Sequence, residues 1–396
     1  MRILTLTTVF PNFRQPLLGL FIKERMRHVA ARKMVRVVAP VPVSPLDPVA
    51  RWLKPGFRPA TPEYGISEPS FIVDHPPFLC FPGLFKALDG VFYFFSLYYF
   101  LKTMKRYYNF DMVDAHFAYP DGVAAALLSK VFNIPFTITL RGTEAAYTKI
   151  PSRKKQMQWA LHKAARVICV SESLGKVAQQ LSTDKQKIRV IPNGVDTNRF
   201  SPIEKSAARR FLRLDDDAKV LLTVGGLVER KGFHRVIDIL PKIKASFGNV
   251  VYLIVGGSSV EGDFSRKLGD MVNKKGLSNV VRFEGAIQPK DLAVYYSAAD
   301  LFVLPTSNEG WANVFLESLA CGTPVITTDV GGNREVIVNS DLGTIVPFGD
   351  AMRLETAVTN GLKKEWNPQR LIGYARQRTW DKVAEEVVSV FEEVVK

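Results

Sequence analysis

Apolar and polar positions follow two alternating patterns along the whole chain. Short, nearly continuous apolar runs such as "RILTLTTV" and "KVLLTVGG" are followed by longer segments whose apolar residues recur at helical spacing. The short runs predict buried strands, and the helical spacing predicts amphipathic helices. Strands that alternate with helices predict parallel sheets covered by helices on both faces.

The first half of the chain predicts one such sheet. After the helix "LFIKERMRHVAARK" its strands are "VRVVAP", "DMVDAHF", "FTITL", "ARVICVS" and "IRVIPNGV". Seven prolines between Pro40 and Pro62 predict a loop without regular structure. An aromatic helix is predicted near 84–108.

The second half predicts another sheet, with the strands "KVLLTVGG", "VVYLIVGG", "VVRFEG", "LFVLPT", "PVITTD" and "TIVPFG". The fold class is therefore α/β, with two doubly wound Rossmann-like domains facing a cleft. We predict one domain at 1–199 and a second at 200–373, joined by a turn-rich linker near 193–202. A long amphipathic helix at about 374–396 is expected to pack back onto both domains.

Composition limits the cellular setting. The cysteines Cys80, Cys169 and Cys321 are widely spaced and form no metal or disulfide pattern, which predicts a reduced, cytoplasmic compartment. The most membrane-like stretch, "VFYFFSLYYFL", has eleven residues. A spanning helix needs about 20, so none is predicted.

The net charge of +15 lies in the first half. Residues 1–200 hold 28 Lys and Arg against 13 Asp and Glu, whereas residues 201–396 hold 25 of each kind. A basic half favours an anionic partner: nucleic acid, a membrane surface or a phosphorylated substrate. Nucleic acid is disfavoured because no recognition module is present. The segment 84–108, which ends with Lys102, Lys105 and Arg106, is either a core helix with a basic end or a contact with an anionic membrane at its inner face.

A phosphate site is predicted at "TVGGLVERKG". Here a strand ends at Val224, a glycine pair follows, and Arg230 and Lys231 precede a helix that opens at Gly232. Helix starts at the carboxyl ends of parallel strands attract anions, and a lysine suits phosphate as a compact charge. The alternative is a solvated basic turn.

Two glutamates, Glu309 and Glu317, stand eight positions apart in "SNEGWANVFLESLACGTPVITTDVGG". Eight helical residues span about 12 Å, so these side chains could hold opposite ends of an elongated ligand. The N–H groups near Asn313 and Val314 lie between them, and ionised carboxylates accept hydrogen bonds from hydroxyl groups. With the lysine, this pattern predicts a sugar nucleotide. A capped helix with a solvated face is the alternative.

These motifs give the chain a resemblance to the family 4 glycosyltransferases, which are retaining enzymes of the GT-B fold. The resemblance covers nearly the full length and rests on "GLVERKG", "SNEGWANVFLESLACGTPVITTDVGGNREVI", "VIPNGVDTNRFSP", "VSESL" and "FPNFRQPLLGLFIKER". The proline-rich loop and "DAHFAYPDG" look most like members that build cell-surface polysaccharides.

The resemblance implies a role for each motif. Glu317 would bind the ribose hydroxyls, and Glu309 would bind the hydroxyls of the transferred sugar, with Gly310 beside it in the donor site. Lys231, with the backbone of Asn313 and Val314, would hold the diphosphate.

The family pattern also implies that Gly19 lets the first loop approach the phosphates and that the backbone from Glu284 to Ile287, including Gly285, lies beside the base. It implies that 1–199 is the acceptor-binding domain and 200–373 the nucleotide-sugar-binding domain. The donor would be a nucleotide-diphosphate sugar, UDP favoured over GDP, and the acceptor a glycan or a lipid-linked glycan. No cofactor and no metal would be required. The carboxylates at 215–217 precede a strand and predict a solvated turn.

Three positions depart from the family pattern or extend it. Gly226 stands where many members have arginine, and Arg230 could take over that role. Arg141 stands where many have histidine and cannot act as a base. His116 could supply a hydrogen bond nearby or be an ordinary strand-end histidine.

The implied reaction keeps the anomeric configuration, with front-side attack and the donor phosphate taking the acceptor's proton. Lys231 would stabilise the leaving diphosphate. The remaining alternatives are an inactive sugar-nucleotide-binding protein, a nucleotide-sugar epimerase of the same fold, and a basic membrane-binding scaffold.

Overall fold

A computed structural model describes residues 1–53, 66–81, 83–259 and 261–396. The chain forms two compact units. The first comprises Met1–Asn193 and Trp380–Lys396, and the second comprises Gly194–Thr379. The structure therefore divides the chain a few residues before the predicted 199/200 boundary and a few residues after the predicted 373/374 boundary.

The first unit is built on an eight-stranded sheet among its described residues. The strands are β1 (Arg2–Leu6), β2 (Met34–Val38), β4 (Ile66–Glu68), β5 (Phe71–Asp74), β7 (Met112–His116), β8 (Phe136–Leu140), β9 (Arg166–Cys169) and β10 (Ile188–Val190). Their order is β10-β9-β8-β7-β1-β2-β5-β4, and only the β4–β5 pair in this sheet is antiparallel. A separate parallel pair joins β3 (Val41–Val43) to β6 (Pro77–Leu79).

Helices cover both faces of this sheet. They are α1 (Leu20–Ala30), α2 (Asp47–Leu53), α3 (Asp89–Met104), α4 (Val123–Phe132), α5 (Thr143–Tyr147), α6 (Pro151–Lys163), α7 (Glu172–Gln180) and, from the carboxyl terminus, α16 (Trp380–Val395). Apolar residues of α16, among them Trp380, Val387 and Phe391, are buried with Ile22 and Met26 of α1 in one core. The last helix thus completes the first unit.

The second unit contains a six-stranded parallel sheet. Its strands are β11 (Lys219–Val224), β12 (Val250–Val255), β13 (Val281–Gly285), β14 (Leu301–Leu304), β15 (Val325–Thr328) and β16 (Gly343–Val346), in the order β13-β12-β11-β14-β15-β16. The helices are α8 (Lys205–Phe211), α9 (Phe233–Phe247), α10 (Ser265–Lys274), α11 (Leu292–Ala298), α12 (Asn313–Ala320), α13 (Asn333–Val336), α14 (Ala351–Lys363) and α15 (Pro368–Arg376). The six predicted strands are confirmed.

The strand order reverses between β11 and β14. The helix that follows β11, α9, buries Phe233 in the core on one face of the sheet. The helix that follows β14, α12, buries Phe315 in the core on the other face. The loops after these neighbouring strands therefore diverge and leave a crevice at the carboxyl edge, where open α/β sheets bind ligands.

The proline-rich segment contains more regular structure than predicted. Strand β3 and helix α2 lie within it, while 54–65 fall outside the described residues. The prediction of no regular structure is wrong for the first part because Pro48 occupies the first turn of α2, where a missing N–H breaks no intrahelical bond. The Asp47 carboxylate accepts a hydrogen bond from the backbone N–H of Ser44 at 2.8 Å and fixes this turn.

Two predicted helices differ in extent. The aromatic segment forms a short 3-10 turn, Lys86–Leu88, and then α3 over Asp89–Met104. The carboxyl-terminal tail is two helices, α15 and α16, instead of one. The chain breaks between them because Val195 donates a backbone hydrogen bond to the carbonyl of Arg378 at 3.0 Å and pairs with Thr379.

Candidate active site

The carboxyl edge of the second sheet brings Lys231 and Glu309 together. Lys231 lies in the 3-10 turn Glu229–Lys231 between β11 and α9, and Glu309 lies in the loop after β14. The Lys231 Nζ atom is 2.6 Å from Glu309 Oε1. Their side chains are only 15% and 8% exposed, so this is a largely desolvated ion pair.

Two further groups donate to the same oxygen. Arg230 Nη1 and the Thr306 hydroxyl each lie 3.2 Å from Glu309 Oε1. Oε2 of Glu309 accepts no hydrogen bond from the residues that the structure describes. The glutamate is therefore held through one oxygen and presents the other.

Arg230 connects this cluster to a second carboxylate. Its Nε and Nη2 atoms lie 2.5 and 2.6 Å from the two oxygens of Glu261, and Nη1 also donates to the carbonyl of Asn308 at 3.2 Å. The Glu261 hydrogen bond raises the pKa of Arg230, and the same contact lowers the pKa of Glu261. Two cations thus face two carboxylates. Gly226 lies close by, and a Cβ atom there would approach Ser259 Cβ to 3.1 Å.

The backbone of Glu309 rests on Gly331. A Cβ atom on Gly331 would lie 1.8 Å from the Glu309 carbonyl oxygen, and Gly331 has a φ of +51°. Gly332 also donates its N–H to this carbonyl at 3.4 Å. Only glycine fits both the contact and the backbone conformation. Gly331, Thr306 and Glu261 are absent from the predicted site, although the Gly-Gly pair of the motif was a signal for the first.

Helix α12 begins where the pattern predicted and carries Glu317. Its N-cap position is Ala312, which has no side-chain acceptor for the first-turn N–H groups. The helix begins at Asn313, three residues after Gly310, so the positive end of its dipole lies at Asn313 and Val314. The Glu317 Oε2 atom accepts a hydrogen bond from the Tyr296 hydroxyl at 2.9 Å. Burial, then the Glu317 charge, raises the pKa of Tyr296, so this hydroxyl keeps its proton.

The end of β13 borders a cavity at the same edge. The side chain of Glu284 accepts from Arg282 Nε at 2.8 Å and from the Tyr295 hydroxyl at 3.3 Å. The Gly285 carbonyl accepts from the Gly256 N–H at 2.8 Å. Beside them lies a cavity of about 380 Å³, lined by Leu227, Gly256, Ser265, Arg266, Gly269, Phe283 and Gly285.

The first unit gathers the other predicted residues at the carboxyl edge of its own sheet. Gly19 precedes α1 with a φ of +69°, and a Cβ atom there would lie 2.4 Å from the Val9 carbonyl oxygen. Arg141 follows β8, and its guanidinium carbon lies 5.1 Å from the centre of the Phe21 ring. Arg141 therefore contacts the start of the helix that Gly19 opens.

His116 lies behind Arg141 and is fully buried. Its Nδ1 is 2.9 Å from Arg141 Nη2, and its Nε2 is 2.9 Å from Asp114 Oδ2. A guanidinium can only donate hydrogen bonds, so Nδ1 of His116 accepts one from Arg141. The ring proton is therefore on Nε2, which donates a hydrogen bond to Asp114. Burial lowers the pKa of His116 to about 4, which keeps the ring neutral. Both ring nitrogens are bonded inside the protein, which is the arrangement expected of an ordinary strand-end histidine. A catalytic role for His116 stays a prediction.

Arg141 is also nearly buried. Its Nη1 donates to Asn193 Oδ1 at 3.0 Å, whereas its Nε has no hydrogen-bond partner among the described residues. Burial, followed by the charge of Arg25, lowers the pKa of Arg141, and Asp114 and Glu144 act in the opposite direction. The guanidinium is thus fixed by His116 and Asn193.

The carboxylates at 215–217 are exposed in the turn before β11, where Asn249 bonds to Asp215 and Asp217 at 3.3 and 3.2 Å. In the described part of the chain, no three His, Cys, Asp or Glu residues are grouped to hold a metal ion. No helix in that part is long and apolar enough to cross a membrane.

Comparison with known proteins identifies the family. Residues 204–378 match the family "Glycosyl transferases group 1", and residues 55–199 match "Glycosyltransferase Family 4". The TuaC glycosyltransferase of Bacillus subtilis (strain 168), named for teichuronic acid biosynthesis, is 31% identical over 378 residues, 93% of this chain and 91% of that protein. The chain belongs to the family 4 glycosyltransferases. As the motifs implied, this chain is a glycosyltransferase, an enzyme that transfers sugars.

Solved structures establish the same fold for this glycosyltransferase. Sucrose-phosphate synthase from Thermosynechococcus elongatus aligns with a TM-score of 0.79 and 21% identity over 99% of each chain. Anabaena HepE in complex with UDP aligns with a TM-score of 0.76 and 18% identity over 99% of this chain and 100% of that one. The predicted GT-B fold is confirmed.

Proposed function

We propose that this glycosyltransferase moves a sugar from a nucleotide-diphosphate donor, UDP favoured over GDP, to a glycan or lipid-linked acceptor in cell-surface polysaccharide synthesis. The observation that carries the proposal is the cluster of Lys231, Arg230 and Glu309 at the strand-order reversal. It combines cations for a diphosphate with a carboxylate for sugar hydroxyls, beside the amino end of α12.

The donor would lie along the carboxyl edge of the second sheet. Glu317 would accept from the ribose hydroxyls, while Lys231, Arg230 and the first turn of α12 would hold the diphosphate. Arg230 would supply the guanidinium that Gly226 lacks. The base would lie beside Gly285, and Glu309 Oε2 would accept from the transferred sugar.

The chemistry we propose retains the anomeric configuration and needs no metal. The bond between the anomeric carbon and the diphosphate oxygen breaks, and the acceptor oxygen forms its bond on the same face. The acceptor proton passes to the departing phosphate oxygen. Lys231 and Arg230 would stabilise the charge that develops on that oxygen, and Arg141 would hold a hydroxyl or phosphate of the reacting groups.

Similar proteins support the nucleotide and the pathway class. HepE, a fold neighbour, has been crystallised with UDP and with UDP-glucose. TuaC is named for teichuronic acid biosynthesis. Both favour UDP and a polysaccharide acceptor for this chain.

The donor site is tested by nucleotide-induced stabilisation. A ligand that binds only the folded state adds about 2.7 kcal/mol at 100 times its Kd. We expect UDP, and not GDP or ADP, to raise the melting temperature with EDTA present, and Lys231→Ala and Glu317→Ala to lose this shift. Stabilisation by GDP or ADP would assign a different base to the donor. No shift in the melting temperature with any of the three nucleotides would contradict the donor site.

We also propose a second partner, the anionic inner face of the cytoplasmic membrane. The exposed face of α3 carries Phe95 and Tyr99, 65% and 76% exposed, followed at helical spacing by Lys102 and Arg106. Aromatic side chains and cations on one helical face are typical of contact with a membrane surface.

The charges around α3 support this surface. Four of the five carboxylates between 84 and 163 are buried, namely Asp89, Asp114, Asp121 and Glu144. The cations Lys102, Lys105 and Arg106 form no ion pair with the described residues. They line a cavity of about 500 Å³ together with Tyr98, Asn109, Val131 and Phe132.

Membrane binding is tested by reversing these charges. Each cation near an anionic surface contributes about 1 kcal/mol, so Lys102→Glu with Arg106→Glu should weaken binding to phosphatidylglycerol vesicles more than tenfold. Co-sedimentation with vesicles measures the effect. Lys274→Glu with Lys290→Glu changes the net charge equally on the second unit and should bind as the wild type does. Equal loss in both variants would point to non-specific charge attraction.

A further inference from the structure

The cations assigned to the diphosphate have a counterion within the protein itself. Lys231 Nζ lies 2.6 Å and Arg230 Nη1 3.2 Å from the same Glu309 oxygen, and the glutamate side chain is 8% exposed. Arg230 is also paired with Glu261. The two cations are thus balanced by two carboxylates of the same unit.

A diphosphate must use the same N–H donors. Phosphate oxygens placed within hydrogen-bond distance of Lys231 Nζ would come close to Glu309 Oε1, and like charges in a poorly solvated site repel. A diphosphate on Lys231 therefore competes with Glu309 for this cation and weakens the ion pair. A buried carboxylate that loses its cation is strongly disfavoured unless other donors replace it.

We propose that Glu309 is an internal counterion that makes the site prefer an intact nucleotide sugar over the free nucleoside diphosphate. Hydroxyl groups of the sugar would replace Lys231 as donors to Glu309. A free nucleoside diphosphate has no such hydroxyls and leaves the carboxylate with the neutral Thr306 hydroxyl in place of its cations. This inference rests on the proposed donor site and makes Glu309 a specificity-determining residue.

The same exchange assists product release. Once the sugar has been transferred, Glu309 loses the hydroxyl groups that held it. It then returns to Lys231 and Arg230 and competes with the bound nucleoside diphosphate for their N–H groups. The Lys231–Glu309 ion pair is the end state of this exchange.

The test is the affinity of Glu309→Gln for UDP and for UDP-glucose, measured by isothermal titration calorimetry. Glutamine keeps the size of the side chain and removes its charge. We expect UDP to bind the variant at least tenfold more tightly than it binds the wild type, and the preference for UDP-glucose over UDP to fall by at least the same factor. Inorganic pyrophosphate, which has no base or sugar, should also bind more tightly.

The matched control is Asp329→Asn, which removes one negative charge at the same edge of the sheet, directly after β15, from a carboxylate paired with Arg334. It should bind UDP no more tightly than the wild type, which excludes a general gain from the lost negative charge. Glu309→Ala serves as a second charge-free variant if the glutamine variant does not fold.

Each result decides between the inference and the donor site. If the wild type binds UDP and Lys231→Met does not, the donor site is intact. Weaker or unchanged UDP binding by both Glu309 variants then overturns the counterion role. Absence of UDP, GDP and ADP binding by the wild type and by both Glu309 variants overturns both. Tighter UDP binding by the charge-free variants supports the exchange.

Discussion

Lys231→Met should lower kcat by a factor of about 10² to 10³, the usual effect of removing one group that stabilises charge in a transition state. Methionine keeps most of the length of the side chain but cannot neutralise a leaving diphosphate. The rate is measured as the release of nucleoside diphosphate. The donor is the nucleotide sugar whose nucleotide stabilises the protein, and membrane vesicles supply the acceptor.

The control for this variant is Lys242→Met. Lys242 belongs to the same unit, is 71% exposed and pairs with Glu355 at the surface. Its replacement should leave the rate unchanged. A Lys231→Met enzyme with a raised KM and an unaltered kcat would mean that the lysine binds ground state and transition state equally, against the stabilising role.

Acid should destabilise the first unit through His116. Its pKa is about 4 in the folded chain, below the ordinary 6.5, so as the pH falls the unfolded chain takes up the proton first. The stabilising contribution is present above pH 6.5 and is lost as the pH falls to about 4. The lost stability is about 3 kcal/mol.

The measurement compares the free energy of unfolding of wild type and His116→Gln between pH 7 and pH 4. Other titrating groups occur in both proteins and cancel in the difference. Glutamine does not titrate, so the wild type should lose stability relative to the variant across this window. A difference that does not change with pH would mean that His116 is protonated in the folded state or solvated in it.

The hydrophobic pattern predicted most of the strands because a parallel strand buried on both faces leaves a nearly continuous apolar run. All six strands of the second unit lie where such runs occur. Prediction failed where local signals were overruled. Pro48 fits the first turn of α2, and the tail breaks because the chain beside Arg378 pairs with Val195.

Recognising the site required both the sequence and the tertiary structure. The spacing of Glu309 and Glu317 belongs to one loop and helix, so it could be recognised along the chain. The role of His116 could not, because its burial against Asp114 and Arg141 depends on how β7 and β8 pair. Glu261 and Thr306, which complete the ion cluster, carry no local signal of this role.

The sequence by itself determined the α/β alternation, the basic first half, the motifs of the family and the carboxylates on the α12 segment. Each of these depends on residues close together in the chain. Only the tertiary structure decided that Lys231 and Glu309, 78 positions apart, share one hydrogen bond. The physical reason is that β11 and β14 are parallel neighbours, and pairing between distant strands brings their following loops to one edge of the sheet.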